Sequence, residues 1–317
     1  MSRFPFPHPY GWFQVAYPED LEPGGVKALH YWSTDLVLWR DEAGEYHLQD
    51  AFCPHLGAHL GVGGHVSDGA ITCPFHGWRF DGTGTCLEIP YSEKVNRKAR
   101  LRTYPVVVRN GFVLAWRHPD PEVAPMWEVE TIEEIGDAGW SDYYSSEYVI
   151  NTVPQEMMEN SADPAHFLFV HGTETVAEVE KYDTDGPCSV MLSKQSYVTP
   201  RGTTWGRIDV YNYGPGFSKV WFSGIVDAIN IATTTPIDEE RSVVRFNFTV
   251  RKFEDAALTS TVAEAFVKEI NKQVVEDTPI WEHKTFIPVP ALADTDGPIL
   301  KFRKWYSQFY AEPVAGA

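Results

Sequence analysis

The sequence predicts an α+β chain in two parts: an all-β first third, then a domain whose sheet carries flanking helices. Three observations support this. Short β-branched and aromatic runs separated by turn residues fill the first third. A Pro-rich break, His118-Pro119-Asp120-Pro121 through Pro125, interrupts that pattern. Beyond it, long β-type runs return and lead into one long stretch of apolar residues at helical spacing.

The elements follow in order. Phe13–Tyr17, Val26–Tyr31, Asp35–Arg40 and Tyr46–Phe52 are strand candidates between Pro-, Gly-, Ser- or Asp-rich breaks. Asp68-Gly69, Asp81-Gly82 and Asn110-Gly111 are hairpin-turn dipeptides, because both residue types tolerate the positive φ that twisted paired strands demand. The last joins two strands within Tyr104–Trp116. Pro154–His171 reads as helical in two pieces, split at Asp163-Pro164. Strand-type runs extend from about Val190 to Arg251. Glu254–Val275 is the long helix, with Leu258, Val262, Phe266, Ile270 and Val274 near helical spacing.

Composition limits the function classes. The chain has 317 residues, a soft prior of about two domains. Its 26 Lys and Arg against 44 Asp and Glu leave a net charge of −18, which repels phosphate backbones and anionic membranes. Four cysteines are too few for a disulfide scaffold and fit a reducing compartment. No apolar run approaches the roughly 18 residues of a spanning helix, and the opening residues lack an unbroken apolar signal segment. The expectation is a cytoplasmic protein without nucleic-acid or membrane partners.

The strongest chemical signal is Cys53-Pro54-His55 followed by Cys73-Pro74-Phe75-His76. Two Cys–His pairs on two turns supply two thiolates and two imidazoles, a complete metal donor set. A structural zinc ion and a [2Fe–2S] cluster with two His ligands both fit. The single residue between Cys53 and His55 favours the cluster, since zinc pairs usually enclose two to four residues. His59 and His65 match no ligand position, Trp78 reads as packing over the cluster loop, and Cys86 reads as a small core residue.

A second constellation is Glu159-Asn160-Ser161-Ala162-Asp163-Pro164-Ala165-His166, then His171. Two histidines and a carboxylate with open positions form the facial triad of non-haem Fe(II) enzymes. Five positions on a regular helix separate side chains by about 140°, so His166 and His171 can face one metal only if the helix ends between them. Gly172 is a natural stop. Asp163 before Pro164 also reads as an N-cap followed by Pro at N1.

The stretches CPHLGAHL and CPFHGWRF closely resemble the Rieske motif, and the chain as a whole resembles the oxygenase component (α-subunit) of Rieske non-haem iron oxygenases. Gly11-Trp12-Phe13, Ile89-Pro90-Tyr91-Ser92 and the tail from Asp296-Gly297-Pro298 to Phe309-Tyr310 are similar to one subgroup, the 3-ketosteroid 9α-hydroxylases and cholesterol 7-desaturases. The resemblance implies a Rieske domain over 1–120, including an N-terminal strand that packs on the catalytic domain. It implies a catalytic domain over 121–317, with an antiparallel sheet flanked by helices in helix-grip fashion. Cys53, His55, Cys73 and His76 would hold [2Fe–2S], and His166 and His171 a mononuclear Fe(II). The third ligand is open by spacing among Glu276, Asp277 and Glu282; the family places an Asp just before an Ile-Trp pair, which selects Asp277. Asp163 would bridge a neighbouring subunit's Rieske histidine to an iron-ligating histidine, and Asn160 would lie near the iron. A head-to-tail homotrimer is implied.

The implied activity is O2-dependent hydroxylation of an apolar, steroid-like substrate in steroid metabolism. The alternatives are dioxygenation or demethylation of an aromatic or O/N-alkyl substrate, a Rieske electron carrier without oxygenase activity, and a zinc-stabilised binding module. Length disfavours a carrier, which needs only the first third. Cys86 and Cys188 cannot make a Cys₄ cluster, and no G-x-G-x-x-G occurs, so a separate NAD(P)H-dependent reductase, with or without a ferredoxin, must supply electrons. Lys94, Arg97, Lys98, Arg100 and Arg102 form a basic run that would suit an acidic donor, or simply a solvated turn. Tyr197, Trp205, Tyr211, Tyr213, Phe217, Trp221 and Phe222 are candidates either for an apolar pocket or for the core of the sheet.

Overall fold

The computed structural model describes residues 3–199 and 202–311. The chain divides into two compact units. Tyr10–Glu128 form one, and the residues up to Pro9 with those from Val129 onward form the other. The division thus falls after Glu128 rather than at 120. Among the described residues, those up to Pro9 contain no strand.

The unit 10–128 is all β. Its strands are β1 (Gly11–Ala16), β2 (Val26–Tyr31), β3 (Thr34–Arg40), β4 (Tyr46–Asp50), β5 (His65–Ser67), β6 (Ala70–Thr72), β7 (Arg79–Asp81), β8 (Cys86–Glu88), β9 (Thr103–Tyr104), β10 (Val106–Arg109) and β11 (Phe112–Arg117). They form three small sheets, ordered β1-β11-β10, β2-β3-β4-β9 and β5-β6-β7-β8. Asp68-Gly69 and Asn110-Gly111 both adopt positive φ and close the β5–β6 and β10–β11 hairpins. One core gathers Val37, Trp39, Ile71, Phe80 and Leu101 around the buried Cys53 and Cys73.

The other unit is built on a seven-stranded antiparallel sheet. Its elements are β12 (Tyr144–Ile150), α1 (Pro154–Glu159), α2 (His166–Phe169), β13 (Glu178–Asp185), β14 (Cys188–Thr199), β15 (Gly202–Tyr213), β16 (Phe217–Ser223), β17 (Ala228–Pro236), β18 (Ser242–Val250), α3 (Ala256–His283) and α4 (Ile299–Tyr306). The strand order is β12-β18-β17-β16-β15-β14-β13. Asp255 caps α3 by accepting from the N–H groups of Ala257 and Leu258. The helix runs on through Pro279 to His283, well past the expected end at Val275. Pro279 has no N–H to give the Val275 carbonyl, and Val275 lies on the exposed side of the helix. Phe266 of α3 packs against Phe222 and Phe248 of the sheet. Arg303 of α4 grips the Glu159 carboxylate with two hydrogen bonds, 2.5 and 2.9 Å, and so fixes the end of α1. Among the described residues no helix is long and apolar enough to cross a membrane.

Candidate metal centres

Two loops of matching build carry the Cys–His pairs. In the first, the Cys53 N–H donates to the Ala58 carbonyl and the Gly57 N–H to the Cys53 carbonyl, both at 2.9 Å. In the second, Cys73 N–H donates to Trp78 and Gly77 N–H to Cys73, at 2.8 and 3.0 Å. Gly57 and Gly77 turn each loop with φ of 77° and 71°, values that disfavour a side chain. The loops bring His55 and His76 together with ring centroids 4.6 Å apart.

This donor set fits a bound metal cluster. The Nδ1 atoms of His55 and His76 are both buried with no hydrogen-bond partner. Orphaned buried nitrogens cost about 1–3 kcal/mol each, and the other two candidate donors, Cys53 and Cys73, are buried free thiols. Burial, with Cys73 adjacent, pushes the Cys53 thiol well up. A cation is what would favour its thiolate. Trp78 stacks flat on His55. His59 instead accepts the Gly61 N–H within its own turn, and His65 is exposed on β5. Cys86 is buried, its Sγ near the Glu88 carbonyl.

In the other unit, Asp163 is extended, as a residue before proline should be, and splits the helical segment. Asp163 is not the residue at which a helix starts, since α2 begins at His166 after Ala165. Its carboxylate nevertheless accepts the N–H groups of Ala165 and His166, at 3.0 and 3.4 Å, as a cap does. The helix ends at Phe169, and Gly172 follows at φ 69°. His171 is thereby released from helical phase and swings beside His166, ring centroids 5.3 Å apart. Asp277 of α3 completes the group: one ligand atom from each of His166, His171 and Asp277 lies within 4.8 Å of the others.

Each imidazole keeps Nε2 for that centre. His166 donates from Nδ1 to the main-chain carbonyl of Asp163 at 2.5 Å, while the Asp163 carboxylate stands off at 3.9 Å. His171 has Glu276 Oε2 at 3.0 Å from Nδ1 and Asp277 Oδ2 at 3.4 Å from Nε2. Burial lowers His166, with Asp277 and Asp163 offsetting it only in part. Burial opposes charge on His171 too, but Asp277 and Glu276 outweigh it and leave that imidazole raised. Asn160 lies at the site, donating from Nδ2 to Asp277 Oδ2 at 3.4 Å and accepting from the Trp281 indole at 3.4 Å. Glu282 takes no part; it accepts from Asn151.

A cavity opens on the His–His–Asp group, walled by Met157, Met191, Ile208, Val210, Val220, Phe222, Phe246 and Ile270, with Asn212, Ser218 and Asn230 among its polar residues. Of the aromatic candidates in the sheet only Phe222 lines it. Tyr211, Tyr213, Phe217 and Trp221 occupy the alternate positions of β15 and β16, on the opposite face. Trp205 is exposed, and the Tyr197 side chain lies outside the described residues.

Comparison with known proteins accords with this geometry. Residues 11–105 match the Rieske [2Fe-2S] domain, and residues 115–310 match the 3-ketosteroid 9alpha-hydroxylase C-terminal domain. The chain is therefore a Rieske non-haem iron oxygenase, an oxidoreductase that incorporates O2. Within that class it belongs to the family defined by the 3-ketosteroid 9alpha-hydroxylase C-terminal domain. It is 32% identical to a cholesterol 7-desaturase of Ciona intestinalis, over 96% of this chain and 69% of that one. It is 29% identical to the oxygenase component of a 3-ketosteroid-9-alpha-monooxygenase of Rhodococcus rhodochrous, over 95% and 84%. The fold is shared with the caffeine-bound NdmA QL mutant of Pseudomonas putida CBB5 (TM-score 0.73, 18% identity, 93% and 88% covered). It is also shared with apo dicamba monooxygenase (TM-score 0.71, 16% identity, 96% and 97% covered).

Proposed function

We propose that this chain hydroxylates an apolar, steroid-like substrate with O2, drawing electrons from an external NAD(P)H-dependent reductase, with or without a ferredoxin. The supporting observation is the cavity: a mainly apolar chamber that ends on His166, His171 and Asp277. The relatives named for cholesterol and 3-ketosteroid chemistry point to the same substrate class.

Cys53, His55, Cys73 and His76 would hold the cluster, and His166, His171 and Asp277 the mononuclear iron. When bound, these groups supply single-electron delivery and O2 activation. The chain's own part is positioning. The apolar walls exclude water and favour a rigid hydrocarbon skeleton. Asn212 donates to Ser189 at 2.9 Å and accepts from Ser218 at 2.7 Å, a polar group among those walls that would orient an oxygen substituent. Asn160 holds the Asp277 carboxylate from one side. The bridge from Asp163 to a neighbouring subunit's Rieske histidine, the homotrimer it needs, and a cytoplasmic setting belong to the same proposal. Exposed Lys94, Arg97, Lys98 and Arg100, whose side chains have no partner among the described residues, would receive an acidic electron donor. Arg102 leaves that run, since it donates to the His118 carbonyl and lies over Tyr104.

Desaturation is the second reading, favoured by the likeness to a cholesterol 7-desaturase. Substrate-dependent O2 and NADH consumption with a surrogate reductase, run across steroids and aromatic acids with product identification, separates them. A steroid product bearing one added oxygen supports hydroxylation, and one lacking two hydrogens supports desaturation. Turnover of aromatic acids alone contradicts the steroid assignment.

A further inference from the structure

We infer that Glu276 is a positioning residue for the mononuclear iron site, fixing the ring of His171 so that Nε2 faces the metal; this rests on the iron reading above. Neighbouring positions on a helix point about 100° apart. Two consecutive acids of α3, Glu276 and Asp277, therefore cannot approach one metal from the same side. They take the two edges of one imidazole instead: Glu276 Oε2 lies 3.0 Å from Nδ1, and Asp277 Oδ2 3.4 Å from Nε2 of His171.

The ring needs that support. The His171 side chain is only 2% exposed, and the residue follows the end of α2, so no helical repeat sets its orientation. A carboxylate at Nδ1 requires the proton there and leaves the lone pair on Nε2. Glu276 is itself restrained one helical turn back by Lys272, whose Nζ lies 3.4 Å from Oε1. The two histidines differ here. Nδ1 of His166 is tied to a main-chain carbonyl, which no side-chain substitution removes, whereas Nδ1 of His171 depends on one side chain. The site thus has one point where orientation can be released without touching a ligand.

The test is equilibrium Fe(II) binding to protein that retains its Rieske cluster, after chelator removes the mononuclear iron, in competition with a chromophoric chelator. Glu276→Ala is expected to weaken Fe(II) binding roughly 10- to 100-fold, with the Rieske absorbance and sulfide content unchanged. Glu276→Gln, whose amide oxygen still accepts from Nδ1–H, is expected to recover most of that loss, and Lys272→Met to cost less than Glu276→Ala. Equal affinity in wild type and Glu276→Ala overturns the inference, as does a Glu276→Gln protein as weak as Glu276→Ala, which would leave only the charge. A wild-type chain that binds no mononuclear Fe(II) overturns the iron reading itself, and is thereby distinct from failure of the clamp alone.

Discussion

The imidazole of His55 and the indole of Trp78 lie face to face, centroids 4.4 Å apart and planes 8° from parallel. The indole N–H is satisfied by the Tyr91 hydroxyl at 2.8 Å. The proposed cluster ligand His55 is thus roofed by an apolar surface held in place from its far edge.

Trp78→Ala opens that roof to water. Solvent favours the reduced cluster, which carries one more negative charge. The midpoint potential should rise by roughly tens of millivolts, read by spectroelectrochemical titration. An unmoved potential would show that Trp78 does not screen the cluster.

Gly297 meets the segment that leads into His166. At φ 76° it is strained for any side chain, and a Cβ would stand 2.6 Å from Pro164 Cδ and 2.8 Å from the Ala162 carbonyl. Gly297→Ala is expected to cost about 1–3 kcal/mol and to reduce mononuclear iron retention while sparing the Rieske spectrum. Urea unfolding with metal analysis checks both; wild-type values for both refute the contact's importance.

Reversing Lys98 and Arg100 to Glu should slow cluster reduction by an acidic ferredoxin and flatten its salt dependence. Reduction by dithionite serves as the control and should not change. Identical stopped-flow rates and salt slopes in variant and wild type exclude a docking role.

Glu156 is fully buried, and burial raises its carboxyl above the ordinary 4.5, although Lys284 Nζ lies 2.7 Å away and opposes the rise. Between the unfolded pKa and the raised folded one, the folded state binds more protons than the unfolded one, so stability falls as pH rises through that window. Glu156→Gln should remove that part of the slope, measured as unfolding free energy from about pH 4.5 to 7. A variant with the wild-type slope contradicts the assignment.

What the sequence revealed divides by range of interaction. Both Cys–His pairs sit on local loops whose Cys, His and Gly are close in sequence, so spacing disclosed a metal donor set, and family likeness favoured a Rieske cluster over zinc. The hairpins at Asp68-Gly69 and Asn110-Gly111 were visible for the same reason. Asp277 could not be chosen by spacing, since its partners are distant in sequence and only packing brings α3 to His171; family likeness selected it from three acids. The separate part of Glu276 was hidden because a linear reading treats adjacent acids as rivals for one role. The end of α3 at His283 was not legible because the apolar repeat that marked the helix stops at Val274 while the helix continues. The choice between pocket and sheet core for the sheet aromatics was open in the sequence and is decided by strand parity: Ile208, Val210, Val220 and Phe222 face the cavity, while Tyr211 and Trp221 lie on the other face.

The most direct measurement is iron and labile sulfide in purified wild type and Asp277→Ala. Wild type should carry about three irons and about two sulfides per chain, and Asp277→Ala about two irons with sulfide unchanged. A wild-type chain with two irons or with zinc, or an Asp277→Ala chain that keeps its third iron, would contradict the two-centre assignment.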